Sequence, residues 1–338
     1  MVVVMRRDAT DADIERVAEK VREVGGEAFV SRGTVHTIIG LVGDTVVFRG
    51  LELDNLPGVD HIIQIGKPYK MVARALHPAP TFVKVGPAVV GRGMFSIIAG
   101  PCAVETAEQA MRAARAAKEA GAAILRGGAF KPRTSPYSFQ GLGERGLEIL
   151  AECRAETGLP VVTEVLEPRD VELVASFADA LQIGTRNMQN FALLKEVGAA
   201  KKPVMLKRGL SATVEEWLMA AEYVAQRGNS EIILCERGIR TFEPSTRNTL
   251  DLGGMVVAQL ESHLPVIVDP SHATGHKELV APMARAAVAA GADGVMVDVH
   301  HDPGSALCDG PQALKPDELQ SLAKELRALA AALGRQVP

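Results

Sequence analysis

The sequence predicts a (β/α)8 barrel preceded by a small ferredoxin-like α+β domain, and three observations predict it. From Phe95 onward, eight short apolar runs alternate with amphipathic stretches of helical period. Those eight units occupy about 240 residues, close to the roughly 250 of a typical barrel. Ahead of them, residues 1–66 run β-α-β-β-α-β, the order of a split βαβ sandwich. A doubly wound sheet is the structural alternative. It seldom uses eight runs so evenly spaced, and no G-x-G-x-x-G follows the first run after Phe95.

Taken in order, Val2–Met5 is a strand, and Asp11–Val24 is a helix with Ile14, Val17, Ala18 and Val21 on one face, closed by Gly25-Gly26. Glu27–Ser31 and Val35–Val42 are strands joined by the turn Arg32-Gly33-Thr34; Thr45–Leu53 is ambiguous; Val59–Ile65 is the last strand of this domain. Residues 67–93, with Pro68, Pro78, Pro80 and Pro87, read as a linker and extended segment. The barrel spans 94–338. Its strands are Phe95–Ala99, Ala123–Leu125, Val161–Thr163, Ala180–Ile183, Val204–Leu206, Ile232–Leu234, Val266–Val268 and Gly294–Val297. Between them lie the helices Thr106–Glu119, Glu144–Thr157, Thr213–Gln226, Leu250–Glu261 and Lys277–Ala290, and Pro316–Leu333 follows the last strand.

Composition removes several classes of function. The net charge of −4 and the 4% aromatic content do not suit a nucleic-acid surface, which needs a basic face and stacking platforms. No apolar stretch reaches membrane-spanning length, and Met1-Val-Val-Val-Met-Arg-Arg7 is not a signal peptide, its charges following too short an apolar run. Cys102, Cys153, Cys235 and Cys308 are irregularly spaced, so the expectation is free thiols in a reducing cytoplasm.

The chemistry is concentrated after the strands, where a barrel places its active site. Arg126-Gly-Gly-Ala-Phe-Lys131-Pro-Arg133-Thr134-Ser135 follows the second barrel strand and sets three cations and two hydroxyls in a loop that cannot be a regular helix. Cys102 follows the first strand, Glu164 ends the third, Arg186 follows the fourth and Lys207-Arg208 the fifth. Glu236-Arg237 follows the sixth, Asp269 and His272 the seventh, and Asp298, His300 and Asp309 the eighth. This surplus of Arg and Lys implies at least two phosphate or carboxylate groups on the substrates. Cys102, His272, Asp298 and Asp309 form a second subset: a thiolate, an imidazole and two carboxylates can hold a divalent transition metal and leave a position open.

At this point the chain resembles a known family. Ala99-Gly-Pro-Cys102-Ala-Val-Glu105, Lys131-Pro-Arg-Thr-Ser135, Gln182-Ile-Gly-Thr-Arg186-Asn-Met-Gln, Pro203-Val-Met-Leu-Lys207-Arg-Gly and Asp269-Pro-Ser-His272 look like the type I 3-deoxy-D-arabino-heptulosonate 7-phosphate (DAHP) synthases, in the subgroup with an N-terminal ferredoxin-like domain. The resemblance implies a transferase that condenses phosphoenolpyruvate with erythrose 4-phosphate and releases phosphate, the first step of the shikimate pathway. It implies Cys102, His272, Asp298 and Asp309 as ligands of a divalent metal (Mn²⁺, Fe²⁺, Co²⁺ or Zn²⁺). By the same resemblance, Arg126, Lys131, Arg186, Lys207 and Arg237 surround phosphoenolpyruvate, and Arg133, Thr134 and Ser135 take the aldose phosphate. Lys131 is the expected proton donor, with Glu164 or Asp309 activating water. The family usually carries Glu where this chain has Asp298, one methylene shorter, which leaves open direct ligation, ligation through water or an altered metal preference. His301 stands where Pro is common.

Two alternatives remain beside this reading. One is 3-deoxy-D-manno-octulosonate 8-phosphate synthase, which shares the barrel and phosphoenolpyruvate; the other is a non-catalytic metabolite-binding barrel. The resemblance further implies that the first domain regulates, with Tyr or Phe as feedback effector, in a homotetramer.

Overall fold

The computed structural model describes residues 1–33, 36–64 and 66–337. Thr34 and Val35, in the expected first hairpin, and Ile65, the expected end of its last strand, lie outside the described residues. The chain divides into two compact units, Met1–Pro68 and Tyr69–Pro338.

In the first unit β1 (Val2–Met5), β2 (Glu27–Arg32), β3 (Thr37–Val42) and β4 (Val59–Ile63) form an antiparallel sheet of order β2-β3-β1-β4. Helix α1 (Asp11–Glu23) starts in a capping box: Thr10 Oγ1 accepts from Asp13 N, and the Asp13 carboxylate accepts from Thr10 N. Its Ile14, Val17 and Val21 pack with Val3, Met5, Ile39 and Leu41 into one core. The ambiguous stretch resolves into a short helix α2 (Thr45–Arg49), where Asp44 accepts from Val46 N and Phe48 is drawn into the core, followed by a 3-10 turn at Leu53–Asn55.

In the second unit eight parallel strands close into a barrel: β7 (Ser96–Gly100), β8 (Ile124–Arg126), β9 (Val161–Glu164), β10 (Ala180–Ile183), β11 (Val204–Lys207), β12 (Ile232–Glu236), β13 (Val266–Val268) and β14 (Gly294–Asp298). Closure comes from β14 pairing with β7 over five residues, with Asp298 opposite Gly100. Helices connect successive strands; Thr106 and Thr213 cap two of them through Gln109 N and Glu216 N. Two connecting helices, Val171–Phe177 and Phe191–Ala199, are absent from the sequence reading, because seven and nine residues are too few to display a helical period.

The stretch read as a linker, 67–93, is structured. A hairpin of β5 (Phe82–Val85) and β6 (Ala88–Gly91) turns through Gly86-Pro87, with Gly86 at φ 56°. Its Val83, Val85 and Val90 join Ile98, Ile124, Val162, Met205, Ile233, Ile267 and Met296 inside the barrel. The hairpin therefore closes the amino-terminal mouth, where Ser96 Oγ donates to Val89 O. Four prolines masked two strands of only four residues each.

Candidate active site and metal centre

Strand ends deliver the charged residues to the carboxyl-terminal mouth. Arg126 ends β8, and its Nη1 donates to Pro101 O (2.8 Å) and lies 3.1 Å from Asp298 Oδ1. Glu164 ends β9 and accepts from Gln182 Nε2 on β10 at 3.1 Å. Two residues on, a Cβ at Gly184 would collide with the Glu164 carboxylate, so glycine lets the chain turn there toward Arg186. Lys207 ends β11 and pairs with Asp269 Oδ2 at 2.5 Å, both buried. Arg186 Nη2 donates to Thr134 Oγ1 (3.4 Å), tying the loop after β8 to the end of β10.

These groups line one cavity of about 440 Å³, a size suited to small phosphorylated substrates. Arg126, Lys131, Arg133 and Arg186 face it together with Lys207, Arg237, Arg240 and Arg247, whereas only Glu164 and Asp309 among its lining residues are carboxylates. Arg237 is buried and its Nη1 has no hydrogen-bond partner among the described residues. A buried cation left unpaired is costly unless an anion completes it. The cavity is therefore built for phosphate and carboxylate groups.

Beneath the cations lies the candidate metal centre. Cys102 Sγ is 3.0 Å from Asp309 Oδ2 and 3.5 Å from His272 Nε2, and that nitrogen is 3.8 Å from Asp309 Oδ2. Three such donors converging from after β7, after β13 and after β14 fit a divalent transition metal. His272 Nδ1 lies 2.9 Å from Asp269 Oδ2, without an aligned hydrogen bond, and 3.5 Å from Asp298 Oδ2. A carboxylate behind Nδ1 directs the Nε2 lone pair toward Cys102 and Asp309, as in metal sites generally. Burial keeps the imidazole below its usual pKa, against the pull of Asp269 and Asp298. Burial alone would raise the Asp309 carboxyl, but His272, Lys131 and Arg247 hold it well below the usual range. The Cys102 thiol is pushed well above its usual range by its hydrogen bond to Cys308 and by burial.

Not every strand-end residue reaches the cavity. Arg208 is buried in ion pairs with Glu236 (3.1 Å) and Asp251 (2.7 Å), beside the Trp217 ring, and Glu236 accepts from Gly238 N. Both belong to the scaffold. His300 faces Glu105 Oε2 at 3.5 Å and stacks on His301, away from the cavity lining. Cys153 and Cys235 are buried core thiols, which burial pushes up to about 11 and about 12. Sequence reasoning passed over Arg240 and Arg247, which lie in the long loop after β12, beyond the first residues past the strand. Arg247 Nη1 donates to Asp309 Oδ1 (2.9 Å) and Gln312 Oε1 (3.1 Å). Gln312, also unmarked by the sequence, donates to Asp298 Oδ2 at 2.7 Å.

Comparison with known proteins gives this geometry its context. The family profile described as DAHP synthetase I matches residues 80–334, and that described as DAHP synthase ferredoxin-like domain matches residues 1–67. A phospho-2-dehydro-3-deoxyheptonate aldolase of Thermotoga maritima is 48% identical over 337 residues, covering 100% of both chains. The crystal structure of that T. maritima enzyme, a DAHP synthase, superposes with a TM-score of 0.95 over 100% of this chain and 99% of that one. A 2-dehydro-3-deoxyphosphooctonate aldolase of Nitratidesulfovibrio vulgaris is 37% identical over 252 residues, covering 69% of this chain and 91% of the relative. Among the described residues no helix is long and apolar enough to cross a membrane. With both of its units matched and the match running end to end, the chain belongs to the DAHP synthetase I family.

Proposed function

We infer that the protein is a DAHP synthase, condensing phosphoenolpyruvate with erythrose 4-phosphate to give DAHP and phosphate. The observation that carries this reading is one cavity where the Arg and Lys side chains meet His272 and Asp309, with Cys102 Sγ directly beside those two donors. Arg186, Lys207 and Arg237 hold the phosphate of phosphoenolpyruvate, and Arg126 with Lys131 takes its carboxylate. Arg133, Thr134 and Ser135, at the more open rim, take the phosphate of the aldose. Fixed cations turn the encounter into a positioned one and need no reorganisation as charge moves. A divalent metal held by Cys102, His272 and Asp309 supplies Lewis-acid polarisation of the aldehyde oxygen when bound.

C3 of the enol then attacks the aldehyde carbon, and Lys131, buried and protonated, gives its proton to the new alkoxide. Water adds at the C2 cation and loses one proton to Glu164 or Asp309; the hemiketal phosphate then collapses, its C2 hydroxyl becoming the ketone and passing its proton to the phosphate that leaves as the C2–O bond breaks. The octulosonate alternative has weaker support, since its relatives match at lower identity over only part of the chain. Phosphate release with phosphoenolpyruvate and either erythrose 4-phosphate or arabinose 5-phosphate tests the assignment. Turnover with the four-carbon sugar supports it; preference for arabinose 5-phosphate, or no turnover with either, overturns it.

Residues 1–66 regulate in this reading, with Tyr or Phe as effector and a homotetramer as the assembly. Supporting it, the sheet of the first unit leaves Phe29, Val42 and Ile63 about half exposed, apolar surface that a ligand or second copy can cover. A chain beginning at Tyr69 should keep substantial turnover and lose inhibition by aromatic amino acids. Inhibition that persists after truncation, or a full-length enzyme indifferent to both amino acids, excludes the regulatory role.

A further inference from the structure

We propose that Arg247 and Gln312 act as a positioning pair for the metal centre, holding one oxygen of each of its two carboxylates and leaving the other oxygen to the ion. This rests on the metal-dependent reading above, with Asp309 as a ligand and Asp298 offering an oxygen within 4.8 Å of the Cys102 and His272 donor atoms. One nitrogen, Arg247 Nη1, donates to Asp309 Oδ1 at 2.9 Å and to Gln312 Oε1 at 3.1 Å. Gln312 Nε2 donates in turn to Asp298 Oδ2 at 2.7 Å. A guanidinium only donates and a carboxylate only accepts, so the buried amide between them has a single workable orientation.

The oxygens outside this chain of bonds are the ones left for a metal. Asp309 Oδ2 lies 3.0 Å from Cys102 Sγ and 3.8 Å from His272 Nε2. Asp298 Oδ1 is buried and makes no hydrogen bond among the described residues, with Arg126 Nη1 3.1 Å away. Tying down the second oxygen of a ligating carboxylate stops it from rotating and fixes which lone pairs it presents. Charge points the same way. A thiolate and two carboxylates overbalance a divalent ion, and the Arg247 guanidinium sets a fixed positive charge against the surplus.

Both members are firmly mounted. Arg247 N donates to Thr274 O (3.0 Å), Asn248 N to Ala273 O (2.8 Å) and Asn248 Nδ2 to His272 O (3.3 Å). The loop after β12 is thereby pinned to the short helix Pro270–Thr274, which carries His272. That helix ends at Gly275, at φ 74°, where a Cβ would come within 2.7 Å of Arg247 Cβ. Gln312 belongs to the 3-10 turn Gly310–Gln312, and its N donates to Asp309 O at 3.2 Å. Although Arg247 lines the cavity, its Nη1 is committed to Asp309 and Gln312, which separates it from the cations assigned to the substrates.

Cobalt(II) titration of the reduced, full-length protein, with steady-state kinetics at saturating metal, tests this. Arg247→Met and Gln312→Met, similar in length but unable to make these bonds, should each weaken cobalt binding by about 10- to 100-fold. Arg247→Lys, which keeps the charge and its donors on a shorter stem, should recover part of that loss. Once metal saturates, KM for phosphoenolpyruvate and for erythrose 4-phosphate should stay within about twofold of the wild-type values. Unchanged cobalt affinity in either Met variant overturns the inference while leaving the metal-dependent reading standing. A raised KM with unchanged affinity overturns it too, and makes Arg247 a substrate-binding cation. Wild-type protein that binds no cobalt defeats the metal-dependent reading itself, and this inference with it. Should Gln312→Met fail to fold, the two Arg247 variants decide, since that side chain is 40% exposed.

Discussion

The two mouths of the barrel are made from the same eight strands and obey opposite rules. At the amino-terminal mouth, Val83, Val85 and Val90 of the hairpin fill the interior with aliphatic side chains, all fully buried. At the carboxyl-terminal mouth, the far ends of strands only three to five residues long deliver Arg126, Glu164, Lys207 and Glu236 into surroundings nearly as dry. The difference teaches where stability is made and where it is spent. Packing at one end is self-sufficient. Charges at the other are tolerated because Lys207 has Asp269, Arg208 has Glu236 and Asp251, Arg126 has Asp298 and Arg247 has Asp309.

The comparison breaks first if the carboxyl-terminal mouth works without a metal. Chelation should reduce turnover to background, and Mn²⁺, Fe²⁺, Co²⁺ or Zn²⁺ should restore it where Mg²⁺ does not, because a thiolate ligand disfavours the harder ion. Full activity of metal-free protein would refute this. Next in size, Lys131→Met should lower kcat by about 10²- to 10⁴-fold while the melting transition stays close to that of the wild type. A tenfold effect or less assigns proton donation to another group.

The opposite behaviour is expected at the other mouth. Val85→Ala should cost about 2–3 kcal/mol in denaturant unfolding, from lost burial plus a cavity, and leave kcat and KM unchanged. A loss of turnover at constant stability would show that the two ends are coupled.

The smallest effect lies at the N-cap of the helix Leu252–Glu261, where Asp251 accepts from Gly254 N and pairs with Arg208. Burial works to raise the Asp251 carboxyl, but those partners hold it below its usual 3.8. A depressed carboxylate stabilises above its unfolded pKa, and that contribution is lost as pH falls through the folded value. Asp251→Ala should therefore cost about 1–2 kcal/mol at neutral pH, a gap that narrows below about pH 4 in unfolding measured against pH. A pH-independent gap assigns the effect to packing.

The sequence by itself determined the repeating β/α order, because parallel strands buried on both faces read as unbroken apolar runs and the longer helices show their 3.6-residue period. It also determined which residues stand at strand ends, and through them most of the cavity lining. The tertiary structure decided what spacing does not encode. Whether Val83 and Val85 form a loop or a barrel plug depends on the eight strands they meet, and whether Arg208 faces substrate or Glu236 depends on the rotamers that packing allows. Arg247 comes to Asp309 from a loop 62 residues away, Gln312 folds back on Asp298 from the 3-10 turn after β14, and only closure of β14 against β7 brings Cys102 beside Asp309. Local propensity acts over a few residues, whereas a site is made by contacts between residues up to about two hundred apart, such as Cys102 and Asp309, with a sequence separation of 207.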